Sequence, residues 1–224
     1  MATALILGPT GLVGSYLLPL LIEAPEYERV IAFSRRPLEL RHAKLGVVLD
    51  ELSALTQRAA ELQADDIFCC LGTTIKVAKT QQAFLAVDYQ APMDAARLQE
   101  RRGGKRFALV SSLGADPGSA FFYTRVKGVV ERDLGGLGFA RLYVARPSLL
   151  LGQRRETRLA ETFGELGAVP LSPILRGAWR KYRPIQAATV AENLLRLMRG
   201  KEPREGMEWS LGQAPPPEAL PEAG

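Results

Sequence analysis

Leu5-Ile6-Leu7-Gly8-Pro9-Thr10-Gly11-Leu12-Val13-Gly14 is the stretch on which the fold turns. A short apolar run, Ala2–Leu7, enters three glycines spaced G-x-x-G-x-x-G, and these open an apolar segment with helical patterning, Leu12–Ile22. Strand, glycine loop and helix in that order are what a dinucleotide pyrophosphate requires. Small residues let the backbone approach the phosphates, and the helix N-terminus offers free N–H groups with a favourable dipole. Gly8, Thr10, Gly11, Leu12, Val13 and Gly14 are therefore expected to line a cofactor. A tight turn can carry the same glycines, so the reading needs support from the rest of the chain.

Support comes next from the end of the second apolar run. An NAD site usually presents a carboxylate there to the ribose hydroxyls, whereas this chain reads Ser34-Arg35-Arg36-Pro37. Guanidinium groups suit a 2′-phosphate because their planar fork donates parallel hydrogen bonds. NADP (NADPH) is the expected cofactor, with a solvated basic turn as the alternative. Asp50, after the third run, is placed either to contact the adenine amino group or to cap a turn. Leu71-Gly72-Thr73-Thr74 closes the fourth run; Gly72 would let the backbone pass close to the cofactor and Thr73 would reach its phosphates or ribose.

Further along, Arg29–Phe33, Leu45–Leu49, Ile67–Leu71, Phe107–Val110 and Leu142–Ala145 read as near-continuous apolar strands. Helical patterns lie between them, including Gln81–Arg102 with a kink expected at Pro92, and Phe121–Leu134. Buried strands alternating with helices predict a parallel sheet covered on both faces. The fold class is α/β: a doubly wound Rossmann sheet of order 3-2-1-4-5-6 with a small C-terminal substrate-side segment. A single domain is expected over residues 1–212, with that segment at about residues 151–187 and a flexible tail over 213–224. Thr189 is expected to cap a helix that stops at Gly200, Pro19 to bend the first helix, and Met207–Leu211 to add an edge strand.

Composition narrows the classes. Of 224 residues 47% are hydrophobic and 24% charged, with net charge +5; the basic residues are dispersed, without the clustering of a nucleic-acid reader. No apolar run reaches the length of a membrane span. Met1–Ile22, although uncharged, reads as a buried strand and helix rather than a leader, because it lacks a basic start and is broken by the glycine loop. Cys69 and Cys70 are neighbours on one strand, face opposite ways and make a poor disulfide. With His42 as the single histidine, no metal site is expected. Free thiols suggest a reducing compartment, so the expected location is cytoplasmic, as a monomer or homodimer with neither nucleic acid nor membrane as partner.

Tyr123-Thr124-Arg125-Val126-Lys127 sets a tyrosine four residues before a lysine on a helix, which puts both on one face. An ammonium beside a phenol favours the phenolate, and so eases proton exchange. Ser111-Ser112 ends the fifth strand, where a hydroxyl could bond a substrate carbonyl. An amphipathic helix with one aromatic in the core gives the same spacing by chance; the glycine loop and strand-terminal serine ahead of it make the set specific.

This set resembles the short-chain dehydrogenase/reductase superfamily. Arg146-Pro147-Ser148 through Gly152 looks like the stretch after strand six in its extended and atypical members. Phe68-Cys69-Cys70-Leu71-Gly72-Thr73-Thr74 and Ser111-Ser112-Leu113-Gly114-Ala115-Asp116 resemble the atypical branch containing the Tat-interactive protein oxidoreductases. The likeness covers roughly residues 2–200. It implies catalytic Ser112, Tyr123 and Lys127, with Ser111 in reserve, and cofactor contacts from Tyr123, Lys127, Arg146 and Pro147. The chain departs from the pattern at Asp88, where the superfamily usually has an asparagine in its proton relay. The implied activity is NADP-dependent hydride transfer to or from a small carbonyl or alcohol; the alternative is a non-catalytic NADP(H)-binding redox-responsive regulator or assembly factor. An arginine excess over Gln153–Pro184, including Arg154, Arg155 and Arg183, would suit an anionic substrate, or else a solvated basic surface.

Overall fold

The structure is a computed structural model, and it describes residues 1–152, 183–204 and 208–212. Its strands are β1 (Ala2–Leu7), β2 (Tyr27–Ser34), β3 (Leu45–Leu49), β4 (Asp66–Cys69), β5 (Arg106–Val110), β6 (Arg141–Arg146), the two-residue β7 (Leu150–Leu151) and β8 (Ile185–Gln186), and β9 (Glu208–Gly212). The main sheet runs β3-β2-β1-β4-β5-β6-β9. All its neighbours are parallel except β6 and β9, which pair antiparallel from Leu142↔Gly212 to Arg146↔Glu208. The expected order is thus observed, with the expected last strand closing the edge. Ala4, Leu5, Ile6 and Leu7 are all fully buried, which is why β1 is apolar on both faces rather than alternating.

Each face of the sheet carries its own core. Leu17, Leu18 and Leu21 of α1 (Gly14–Glu23) pack on one face with Val190 and Leu194 of the last helix, α6 (Ala187–Met198). On the other, Ala95 and Leu98 of α4 (Ala91–Arg101) pack with Val130 and Leu134 of α5 (Phe122–Gly135). Pro19 lies within α1 on its exposed side. At the sheet end away from the glycine loop, the buried Asp66 accepts from Tyr27 Oη at 2.7 Å and Arg106 Nε at 2.7 Å. Arg106 also donates to the Met198 carbonyl at the end of α6. Burial, with the Asp66 charge, pushes the Tyr27 phenol far above its ordinary range.

Two local expectations are corrected. The segment expected as one kinked helix over Gln81–Arg102 is α3 (Gln81–Leu85), a π-helical turn (Ala86–Gln90) and then α4, preceded by the short α2 (Ile75–Ala78). Pro92 lies in the first turn of α4. It has no N–H to give the carbonyl four residues back, and the wider turn before it takes up that mismatch. At the other end, α6 begins at Ala187 behind Gln186, without a side-chain cap. Thr189 lies inside this helix rather than capping it, because the β8 strand delivers the chain directly into the first turn.

Candidate active site

The site is assembled at the carboxyl ends of the parallel strands, the usual place for ligands in open α/β sheets. At the end of β1, Gly8 has φ +76°, and a Cβ there would lie 2.8 Å from the Cys70 carbonyl oxygen. A Cβ at Gly14 would lie 2.1 Å from the Gly8 carbonyl oxygen. The glycines therefore let β1, β4 and α1 converge on one narrow loop, which is also the cradle a pyrophosphate needs. Val13 precedes α1 without capping it through a side chain, and no acidic residue occupies the first turn, so the positive end of the helix dipole is open to an anion. Thr10 is exposed on the loop, and Gly11 and Leu12 are half-buried.

Beyond β2, the Ser34 hydroxyl donates to the Arg36 carbonyl at 2.7 Å and accepts the Arg36 N–H at 3.2 Å. This local ring fixes the turn from which Arg35 and Arg36 emerge at the surface. Asp50, whose N–H bonds the Ser34 carbonyl at 3.0 Å, accepts the Glu51 N–H at 2.9 Å and pairs with Arg58 at 3.4 Å. Beyond β4, Thr74 caps α2 by accepting the Val77 N–H at 3.2 Å. Leu71 packs against the α4–α5 core.

Asp88 joins the halves of the site. Buried by the π turn, it accepts the Thr73 N–H through Oδ2 at 2.8 Å, and its Oδ1 lies 2.7 Å from Lys127 Nζ. Lys127 is itself buried on α5. Burial opposes its charge, but the Asp88 carboxylate, Tyr123 and the hydrogen bond to Asp88 together outweigh that, and its pKa lies above the ordinary lysine value. Gly72 faces this pair: a Cβ would sit 3.7 Å from both Lys127 Nζ and Asp88 Oδ1. One turn before Lys127, Tyr123 packs its ring on Phe84 of α3, with centroids 5.6 Å apart.

Ser111 and Ser112 close β5. Their Oγ atoms are buried and have no hydrogen-bond partner among the described residues. An unpaired buried hydroxyl costs about 1–3 kcal/mol, a cost that a bound carbonyl would remove. The loop starting at Ser112 returns to α5, where the Asp116 N–H bonds the Thr124 carbonyl at 3.1 Å beside Tyr123. Arg146 forms an ion pair with Glu131 of α5, its Nε donating at 3.0 Å, and the Pro147 carbonyl accepts the Leu113 N–H at 2.9 Å. These two residues hold the serine loop and α5 in place. Arg183 lies near the same strand ends, its carbonyl accepting the Ser148 hydroxyl; Arg154 and Arg155 lie outside the described residues.

Three groups escaped the sequence reading: Phe84 beneath Tyr123, the Thr80 cap of α3, which accepts the Ala83 N–H at 3.1 Å, and Asp88 as partner of Lys127. The π turn had a visible signal in Pro92. Asp88 had one too, as a carboxylate in place of an asparagine, but its partners are distant in sequence.

No group of histidine, cysteine, aspartate or glutamate side chains among the described residues could hold a metal, and none of their helices is long and apolar enough to cross a membrane. Cys69 and Cys70 are free. Burial pushes the Cys69 thiol up to about 12 and the Cys70 thiol well above its ordinary value.

Comparison with known proteins places this architecture. Residues 4–120 match the NAD dependent epimerase/dehydratase family. "Protein FMP52, mitochondrial" of Meyerozyma guilliermondii is 39% identical over 153 residues, 67% of this chain and 66% of that protein. "Protein HTATIP2" of Rattus norvegicus is 34% identical over 196 residues, 85% of this chain and 78% of that protein. The likeness to the Tat-interactive protein branch is thereby borne out. Among solved structures, the Bordetella bronchiseptica enzyme WbmH in complex with NAD+ superposes with a TM-score of 0.66 at 16% identity, covering 89% of this chain and 73% of that one; it shows the same fold. The cytoplasmic expectation is corrected, since several relatives carry "mitochondrial" in their names. It rested on two free thiols, Cys69 buried and Cys70 half-buried, whose packing in β4 and the loop after it says nothing of compartment. Fold, glycine loop and family match agree: the chain belongs to the NAD dependent epimerase/dehydratase family.

Proposed function

We propose that the chain is an NADP-dependent oxidoreductase that interconverts a small carbonyl compound and its alcohol. The observation that supports this best is the placement of Tyr123 and Lys127 on one face of α5, with the hydroxyls of Ser111 and Ser112, unpartnered among the described residues, at the end of the adjoining strand. The glycine cradle and open N-terminus of α1 suit a pyrophosphate, Arg35 and Arg36 a 2′-phosphate, and Thr73 and Lys127 a ribose. A nicotinamide bound there supplies or takes up hydride. In reduction, Ser112 donates a hydrogen bond to the carbonyl oxygen, and Tyr123 gives its proton to that oxygen as the alcohol forms. Lys127 carries the positive charge that steadies the phenolate left behind, and solvent returns the proton.

The substrate we infer is anionic. Arg183 is half-buried near the strand ends, and its Nε has no hydrogen-bond partner among the described residues. A guanidinium so placed suits a carboxylate or phosphate.

The test follows NADPH absorbance against carboxylated and neutral carbonyl compounds. Tyr123→Phe should lower turnover by about 10²–10⁴-fold while NADPH affinity changes no more than a few-fold. A Tyr123→Phe protein that turns over normally would refute the assignment, and a preference for neutral carbonyls would refute the anionic substrate.

A further inference from the structure

We propose that Asp88 is a positioning residue for the tyrosine–lysine pair: its two carboxylate oxygens hold the Lys127 ammonium and the Thr73 peptide together, which keeps a buried lysine charged and fixed against the Gly72 loop. The inference rests on the functional reading above and adds a residue to it.

The argument is a count of donors and acceptors. Two groups converge on Asp88: the Thr73 N–H donates to Oδ2 at 2.8 Å, and the Lys127 ammonium forms an ion pair 2.7 Å from Oδ1, an atom that accepts no hydrogen bond of regular geometry among the described residues. Both are donors, and neither can accept. A carboxylate supplies two acceptor oxygens, one for each. An asparagine supplies one, and its NH₂ would face either the ammonium or the peptide N–H, donor against donor. The chemistry of this pocket therefore calls for aspartate. Its position follows from the π turn over Ala86–Gln90, which buries the side chain between the β4 loop and α5.

Charge makes the same point. Lys127 is buried, and burial alone would push an ammonium toward its neutral form. Among the described residues, the other titratable groups near it are Tyr123 on α5 and Cys69 on β4. Cys69 is held neutral by burial. Farther along α5, Glu131 is taken by Arg146, and Tyr89 of the π turn donates to Asp133 at 2.8 Å. In the serine loop Asp116 accepts the Gly118 N–H at 2.9 Å, and Arg125 donates to the Ser119 carbonyl at 2.8 Å. Asp88 is the compensating charge. Because it also binds Thr73, the loop expected to touch the cofactor and the lysine expected to touch its ribose share one anchor.

The deciding experiment compares the thermal stability of the full chain with that of Asp88→Asn between about pH 7 and about pH 10, without cofactor. In the wild type Lys127 has a raised pKa in the folded state. Its contribution is fully present below the unfolded lysine value, about 10.4, and is lost as pH rises through the folded value. In Asp88→Asn burial, the largest influence on Lys127, is opposed only by the weaker effects of Tyr123 and Cys69 among the described residues, and the folded value falls. The buried cation is then a cost that is full at neutral pH and fades as pH climbs toward that of unfolded lysine. The Tm deficit of the variant should accordingly shrink by about half or more across the range. A deficit independent of pH would mean that Asp88 only packs or only holds Thr73, and would overturn the proposal. If Asp88→Asn does not fold, Asp88→Asn/Lys127→Met, which removes the uncompensated charge, should fold; a double variant equally unfolded would overturn the proposal as well. In the folded variant, NADPH affinity should fall with pH by up to about tenfold per unit above the lowered lysine midpoint, beyond any wild-type slope. A wild type that binds no NADPH would defeat the functional reading while leaving the stability comparison decisive for Asp88.

Discussion

Gly128 offers a test in which two well-understood effects have opposite signs. It lies in the interior of α5, a helix of 14 residues, where replacing glycine by alanine ordinarily stabilises by about 0.8–1 kcal/mol. Here an added Cβ would sit 2.2 Å from the Asp116 carbonyl carbon and 2.2 Å from the Pro117 nitrogen. Both are backbone atoms, in a loop tied to α5 by the Asp116–Thr124 hydrogen bond. Relief requires a movement of more than about 1 Å, and overpacking of this kind costs about 1–3 kcal/mol or more. The clash should win, so Gly128→Ala should lower Tm by roughly 2–8 °C, given about 2–4 °C per kcal/mol for a chain of this size. Gly135, at the end of the same helix, would bring its Cβ within 4 Å of nothing among the described residues, and Gly135→Ala serves as the control with an unchanged or slightly raised Tm. The strain falls on the loop that carries Ser112 toward Tyr123, so kcat should drop more than NADPH affinity. Melting curves and NADPH titrations of the two variants decide the matter: a Gly128→Ala protein as stable as Gly135→Ala would show that the loop does not bear on α5 as described.

Arg35→Ala/Arg36→Ala should lose most of a preference for NADPH over NADH that is about tenfold or greater in the wild type, one charge-assisted contact contributing about 1.5–3 kcal/mol; calorimetric titration with both cofactors measures it, and equal wild-type affinities would remove the NADP assignment. Asp65 accepts the Thr3 N–H at 3.0 Å and pairs with Lys105 at 3.1 Å, the hydrogen bond from the Thr3 N–H being the main reason its carboxyl is held below the ordinary value. Its stabilisation is present above the unfolded value of about 3.9 and is lost as pH falls through the folded one, so the Tm difference between wild type and Asp65→Asn should close as pH drops from about 5 to about 2; a difference that persists in acid would contradict the assignment.

Where the chain could be read from its residues, one physical reason suffices: parallel strands buried on both faces are apolar without alternation. Ala2–Leu7 and Phe107–Val110 therefore announced themselves, and the glycines after β1 and the Tyr123–Lys127 spacing followed from local geometry. The misreadings arose where a local signal had more than one structural solution. Pro92 shows that an α-helix cannot run through unaltered, but a kink and a π turn both satisfy it, and the burial of Asp88 decides between them. Thr189 is a good capping residue, yet the pairing of β8 with β7 starts α6 three residues earlier, with Gln186 at the N-cap. Cys69 and Cys70 look like a statement about compartment and are a statement about packing.

Asp88 shows most clearly what a sequence withholds. Measured against its superfamily it is a missing asparagine, and on that ground alone it casts doubt on a proton relay. Its meaning changes once Thr73 and Lys127 are seen to converge on it, because two donors demand two acceptors and only a carboxylate has them at that size. The substitution does not subtract a relay from an otherwise intact site. It goes with a lysine buried deeply enough to need a counter-ion, and with a π turn that delivers the counter-ion from the neighbouring helix. Asp88→Asn with Lys127 at the same depth would leave a buried ammonium uncompensated, a loss of the kind that costs about 3–5 kcal/mol when one partner of a buried pair is removed. The carboxylate of Asp88 and the depth of Lys127 should therefore be read as one feature.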